Sequence, residues 1–441
     1  MLLHPSSLPS GKLDHDAIRW LDWMAESGLS VWQMLPLSIP DHTGSPYQSL
    51  SAFAVHPGFI GENLNHAAHI SLDEYREQQN WWVEDYAMFR VFKDIFDNQP
   101  WWEWPEDCRT RSPERLAQLQ HSHKAELESY IEEQYRLDLN WDVIHRHAKS
   151  KGIQLFGDMP IFIAQDSADV WANPQEFLLG DDYQPTYVAG VPPDYFSEFG
   201  QRWGNPHYNW ECMQEENFSW WKRRLQRQFD WFDIVRIDHF RGLEAAWMIE
   251  AECETAVEGF WQKAPGDALL EELKKHYPDL PIVAEDLGII TDEVRELAKK
   301  YELPGMSVLQ FAFDYFDDNP HKPKNLHPER VVYTGTHDNN TTIGWFDTLN
   351  DEEKAFVFTT LDVEPTEDIV ELMTTVALES EANLAIMPMQ DLLKLGEEAR
   401  MNVPGMIENN WHWQFQWTDI PSGLASSLDK QIEHSDRSHA V

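Results

Sequence analysis

The 441-residue sequence predicts an α/β chain folded as a (β/α)8 (TIM) barrel, with helical and loop insertions between its strands. Three observations carry that prediction. Short apolar runs rich in β-branched residues recur eight times, greasy on both faces as strands of a buried parallel sheet are. Helix-period segments stand between them, the alternation that builds parallel strands. No Gly-x-Gly-x-x-Gly follows any of the runs, which counts against a doubly wound open sheet. The whole chain, 1–441, reads as one barrel.

Taken in order, residues 2–4 form a short apolar strand running into a Pro/Ser loop. Asp14 caps a helix in which Ala17, Leu21 and Met24 recur at helical spacing, and Gly28 closes it. VWQMLPL (31–37) is the second strand. The third, IQLFGDMPIF (153–162), comes more than a hundred residues later, whereas a plain crossover unit takes about 30. A helix-rich insertion at about 45–150 must lie between them. It holds the amphipathic DYAMFRVFKDIF (85–96), the aromatic WWEWP (101–105) and a charged helix around 123–149. A second insertion, about 164–220, follows the third strand. Its centre, VPPDYFSEFGQRWGNPHYNW (191–210), is dense in Pro, Gly and aromatics and lacks any period, so it predicts an ordered, lid-like loop.

The remaining strands are the run at 232–239 inside WFDIVRIDHFRG, then PIVAEDLG (281–288), MSVLQFAF (306–313), VVYTGTHD (331–338) and ANLAIMPM (382–389). The intervening TDEVRELAKKY (291–301) places Thr291 as N-cap, acids in its first turn and Lys299 and Lys300 in its last, matching the helix dipole. The polar tail from about 425 is expected to fray.

Composition narrows the function. The net charge of -42 repels phosphate backbones and anionic lipid, excluding nucleic acid and membranes as partners while leaving an uncharged substrate indifferent. There is no apolar run of membrane-spanning length and no basic leader, and Cys108, Cys212 and Cys253 fit neither a disulfide framework nor a zinc spacing. A cytoplasmic protein with free thiols is expected. Most of the 21 tryptophans belong to the core, but flat aromatic faces are also what sugar rings pack against.

A barrel of this kind carries its active site at the C-terminal ends of its strands. Here those ends are Asp158; Arg236, Asp238 and His239; Glu285 and Asp286; and His337 and Asp338. Charges ending a buried strand are expensive to desolvate unless they pair or face a cleft. A structural ion pair would account for one such end, not for several together. Carboxylates converging on one mouth point to glycoside chemistry or to a divalent metal. Arg or His beside each acid would compete with a cation, so metal is the weaker option. Glycosyl chemistry needs one ionised and one protonated carboxyl. Asp238 beside Arg236 fits the first role, and Glu285 behind Ile282–Val283–Ala284 fits the second through burial. Neither role calls for a metal or a cofactor.

These residues carry a resemblance. SPYQS, DYAMFR, WWEWP, GDMPIFIAQDSADVW, GVPPDYFS, GQRWGNP, RIDHFRG, VEGFWQKAPG, AEDLG, GTHDN, PMQDLL and RMNVPG follow one another along the chain, within a likeness that runs from residue 2 to about 417. In that order they resemble the 4-α-glucanotransferases (amylomaltases, disproportionating enzymes) of the α-amylase clan. The resemblance implies retaining transfer between an α-1,4-glucan donor and a sugar acceptor: maltose, maltotriose, longer malto-oligosaccharides or glucose. It also implies roles. Asp238 would be the nucleophile, oriented by Arg236 and accompanied by His239, and Glu285 the general acid/base. Asp338, with His337, would bind ring hydroxyls and stabilise the transition state. Asp158 and Tyr47 would shape the subsite of the attacked sugar. Tyr195, Phe196, Gln201 and Trp203 would belong to a loop covering the cleft. An α-1,4-glucan hydrolase of the same clan would share the carboxylates, and a non-catalytic glucan-binding barrel would have no need of Glu285. The chain departs from the family pattern in the short LPSGKLDHD after the first strand, in His42, in Asn340 and in Gln414. All four bear on acceptor choice and product length rather than on reaction type.

Overall fold

A computed structural model describes residues 1–441 apart from 42, 65–69, 194–196, 407 and 438–441. Its strands are β1 (Val31–Gln33), β2 (Gln154–Pro160), β3 (Tyr187–Val191), β4 (Gln201–Pro206), β5 (Ile234–Asp238), β6 (Ala245–Glu250), β7 (Phe260–Lys263), β8 (Ile282–Ala284), β9 (Gly305–Val308), β10 (Arg330–Tyr333) and β11 (Leu384–Ile386).

Two parallel arcs, β1-β2-β5-β8 and β9-β10-β11, make the barrel wall. Two seams join the arcs into a ring. At the first, Leu2 supplies the eighth strand position. Leu3 N donates to Gln33 O at 3.0 Å, while Leu2 N donates to Met387 O at 2.9 Å. At the second, Ala284 N donates to Pro304 O at 2.8 Å. Asp286 reinforces this seam: its Oδ1 accepts from Met306 N at 2.7 Å, and its carboxylate pairs with Arg330 of β10. Asp286, at a strand end like Glu285, is therefore a wall fastening.

Leu2, Val31, Phe156, Val283, Met306, Val308, Val331, Tyr333 and Ile386 form one buried cluster, with Ile234 packed against it. Every wall strand contributes, so this cluster is the packed barrel lumen. Alternate residues such as Leu155, Ile237 and Ala284 face the outer core under the helices. β2 can run close beneath β5 because Gly157 has no side chain: a Cβ there would lie 2.3 Å from the Phe232 ring.

Between β1 and β2 the chain builds helices Leu72–Gln78, Val83–Ile95, Glu106–Arg109, Pro113–Ser122 and Lys124–Ser150. Trp104 and Trp171 pack with Phe89 and Phe92, and they and Trp101 are fully buried, so Trp101 and Trp104 of WWEWP are core and offer no face to a sugar.

Two expectations need correction. The aperiodic stretch after the third barrel strand contains β3 and β4, which join β6 and β7 in an antiparallel sheet of order β4-β3-β6-β7. The alternation that would announce these strands is broken by Gly190 and Gly204, and the register shifts between Val188 and Gly190. The tail is ordered at least as far as His434. Leu424–His434 is a helix whose Leu428 and Ile432, spaced i,i+4, are buried against the rest of the molecule. No described helix is long and apolar enough to cross a membrane.

Candidate active site

The site is assembled by register. β2 and β5 are parallel neighbours with Asp158 opposite Arg236 and Pro160 opposite Asp238. Arg236 lies buried between two carboxylates, donating to Asp158 Oδ2 at 2.6 Å and to Asp238 Oδ1 at 2.7 Å. Its third contact is Met306 Sδ, so the guanidinium is held on every side by the lumen. Tyr47, from the loop after β1, donates to the same Asp158 oxygen at 2.7 Å.

After Asp238 the chain turns sharply, with His239 in the left-handed region at φ 54°. That turn aims the His239 amide at Glu285 Oε2, 2.7 Å away, while Leu287 N donates to Oε1 at 2.7 Å. Glu285 is thus fixed by two backbone donors at the end of β8. Burial pushes Glu285 up to about 8, against the pull of Arg236 and those amides and with the help of Asp238. Burial also lifts Asp238, to about 6, with Arg236 pulling the other way. Arg236 favours the ionised Asp238 expected from the sequence, while desolvation works against it. Between the two values one carboxyl is ionised and the other protonated. Burial holds the His239 imidazole neutral, at about 3, and its Nε2 is buried without a hydrogen-bond partner.

Asp338 follows β10. Its Oδ1 accepts from Asn402 Nδ2 at 2.6 Å and lies 3.3 Å from His337 Nε2, while Arg400 binds its carbonyl. The His337 ring stacks on Tyr47 with centroids 5.3 Å apart and planes at 15°, and Trp411 flanks both rings. This makes an aromatic wall joining the Asp158 and Asp338 sides. On the opposite rim Trp203 of β4 meets the His239 ring edge-on at 4.8 Å and donates to Gln201 Oε1 at 3.1 Å. Gln48 ties the Tyr47 loop to β4 through Trp203 O and Asn205 Oδ1.

One mouth therefore collects Tyr47, Asp158, Gln201, Trp203, Arg236, Asp238, His239, Glu285, His337 and Asp338. Tyr195 and Phe196 lie outside the described residues. Sequence reasoning missed Asn402, Trp411 and Gln48. Asn402 stands in RMNVPG and Gln48 in SPYQS, motifs quoted without a role for these residues, and only the fold brings Trp411 to Tyr47.

A family model described as 4-alpha-glucanotransferase matches residues 2–69 and 61–419. The 4-alpha-glucanotransferase of Thermus thermophilus is 41% identical, covering 99% of this chain and 98% of its own length. That of Aquifex aeolicus (strain VF5) is 39% identical, over 94% and 95%. The solved amylomaltase from Streptococcus agalactiae in complex with acarbose superposes with a TM-score of 0.94 at 32% identity, covering 100% of this chain and 99% of that one. The chain belongs to the 4-alpha-glucanotransferase family.

Proposed function

We propose that the protein is a retaining 4-α-glucanotransferase that moves α-1,4-glucan segments between malto-oligosaccharides or starch chains through a covalent glycosyl–Asp238 intermediate. The observation that carries this reading is the pair of strand-end carboxyls with divided environments, a half-buried Asp238 against a guanidinium and a buried Glu285 against two amides. Asp238 attacks the donor's anomeric carbon while Glu285 gives its proton to the departing 4-oxygen. Glu285, now a carboxylate, then takes the proton of an acceptor 4-hydroxyl, which attacks the same carbon and frees Asp238. Arg236 holds one Asp238 oxygen and leaves the other for attack. Asp338 and His337 bind ring hydroxyls on one side, Asp158 and Tyr47 shape the subsite of the attacked sugar, and the His239 ring stands at the mouth against Trp203. Gln201 and Trp203 cover the cleft so that an acceptor reaches the intermediate before water does.

Maltotriose tests the reading. The wild type should give glucose and a ladder of longer oligomers. Asp238→Asn and Glu285→Gln should each lose at least about a hundredfold in rate while keeping the native circular dichroism spectrum. Products confined to shorter sugars would make the protein a hydrolase, and substantial activity in either variant would remove that residue from its role.

A further inference from the structure

On the side of the second insertion, away from the residues of the mouth, three potential ligands converge. Glu176 ends the turn Pro174–Glu176, and Cys212 and Glu216 stand at i and i+4 of the segment Trp210–Glu216, on one helical face. Their ligand atoms all lie within 4.8 Å of one another. The two segments are fastened together around the cluster. Asn209 N donates to Glu176 O at 2.8 Å, Asn209 Nδ2 donates to Gln175 O at 3.0 Å, and Phe177 bridges Tyr208.

Glu176 is the telling member. It is only 3% exposed, and its Oε2 has no hydrogen-bond partner among the described residues. A buried carboxylate oxygen left bare is costly, and, apart from the Arg223 charge, the groups it meets are a thiol and a second carboxylate. Two carboxylates and a thiol brought this close repel one another when ionised. A cation would relieve this repulsion.

We propose that Glu176, Cys212 and Glu216 bind one zinc-class divalent cation that fastens the base of the insertion carrying β3 and β4. One soft sulfur with two carboxylates suits zinc better than magnesium or calcium, which prefer all-oxygen shells. Zinc bonds of about 2.3 Å to sulfur and 2.0–2.2 Å to oxygen set ligands about 3.4–3.6 Å apart in a tetrahedron. The exposed Glu216 side chain can close that distance, and water completes the fourth position. On binding, Cys212 forms the sulfur–metal bond and its proton passes to solvent. Cysteine spacing could not show this site, because two of its three ligands are carboxylates.

The test uses the full-length protein, reduced and stripped with EDTA, then titrated with Co²⁺ and competed with Zn²⁺. One equivalent of Co²⁺ should raise a thiolate-to-cobalt charge-transfer band, Zn²⁺ should abolish it, and Zn²⁺ should raise the melting temperature. The band should vanish in Cys212→Ser and persist in a Cys108→Ser/Cys253→Ser double variant. Loss of an outer partner alone costs a metal site about 10–100-fold in affinity, so Glu176→Gln and the surface change Glu216→Gln should each weaken binding at least tenfold. No band at one equivalent, a band surviving Cys212→Ser, or wild-type affinity in Glu216→Gln would overturn the site. Transfer from maltotriose by metal-free Cys212→Ser should match the metal-free wild type.

Discussion

Asp238 and Glu285 end adjacent strands, and the chemistry turns on which of them holds the proton. Burial raises both, so activity should be bell-shaped in pH. The acid limb, near 6, is where Asp238 takes a proton, and the alkaline limb, near 8, is where Glu285 loses one. Both limbs belong to the coupled pair, so a change at either residue should move both. The same shift bears on stability. Glu285 is raised from 4.5 to about 8 in the folded protein, so its stabilising contribution is whole below about 4.5 and is lost as pH rises through 8. Glu285→Gln should therefore melt progressively higher than wild type between pH 5 and pH 9. A difference that stays constant with pH would show that Glu285 titrates normally. At this scale the site was largely legible, because charged residues ending apolar runs are conspicuous. Asn402 and Trp411 were not legible: an amide and an indole in a polar loop signal nothing until β10 and the 401–411 segment are side by side.

The wall strands could be read from the chain because a buried parallel strand is apolar on both faces, a pattern no loop sustains. β3, β4, β6 and β7 could not. Gly190 and Gly204 break the alternation in β3 and β4, β7 is exposed throughout, and β3 pairs with β6 across more than fifty residues of sequence. Two elements carry predictions. Trp203 on β4 packs edge-on against His239. Trp203→Ala should raise the ratio of hydrolysis to transfer on maltotriose more than it changes donor consumption, and an unchanged ratio would make β4 scaffolding. At the second barrel seam, Arg330 and Asp286 form a largely buried pair across β8, β9 and β10. Arg330→Met should cost about 3–5 kcal/mol by urea denaturation, since it strands a carboxylate. Asp286→Leu/Arg330→Met together should recover part of that loss. A single-variant loss near zero would mean that the seam holds without the pair.

Over the whole molecule, 76 acidic residues against 34 basic ones leave most carboxylates unneutralised. Screening reaches about 30 Å at 0.01 M salt and about 3 Å at 1 M. The melting temperature should therefore rise between 0.05 M and 1 M NaCl as self-repulsion is confined to near neighbours. Binding of an uncharged glucan should barely respond. A flat or falling melting temperature would show the acids to be locally compensated.

The seam at Leu2 has a bearing on how the molecule comes into being. Its partners are Gln33 on one side and Met387 and Met389 on the other, at nearly opposite ends of the chain. At synthesis speeds of about 5–20 residues per second, roughly 20–80 s separate the emergence of the first strand from that of its last neighbour. Throughout that interval the arc β1-β2-β5-β8 presents an unpaired flank to the cell. The nascent barrel is an open sheet with a sticky margin, and that margin closes only when Met387 arrives to pair with Leu2.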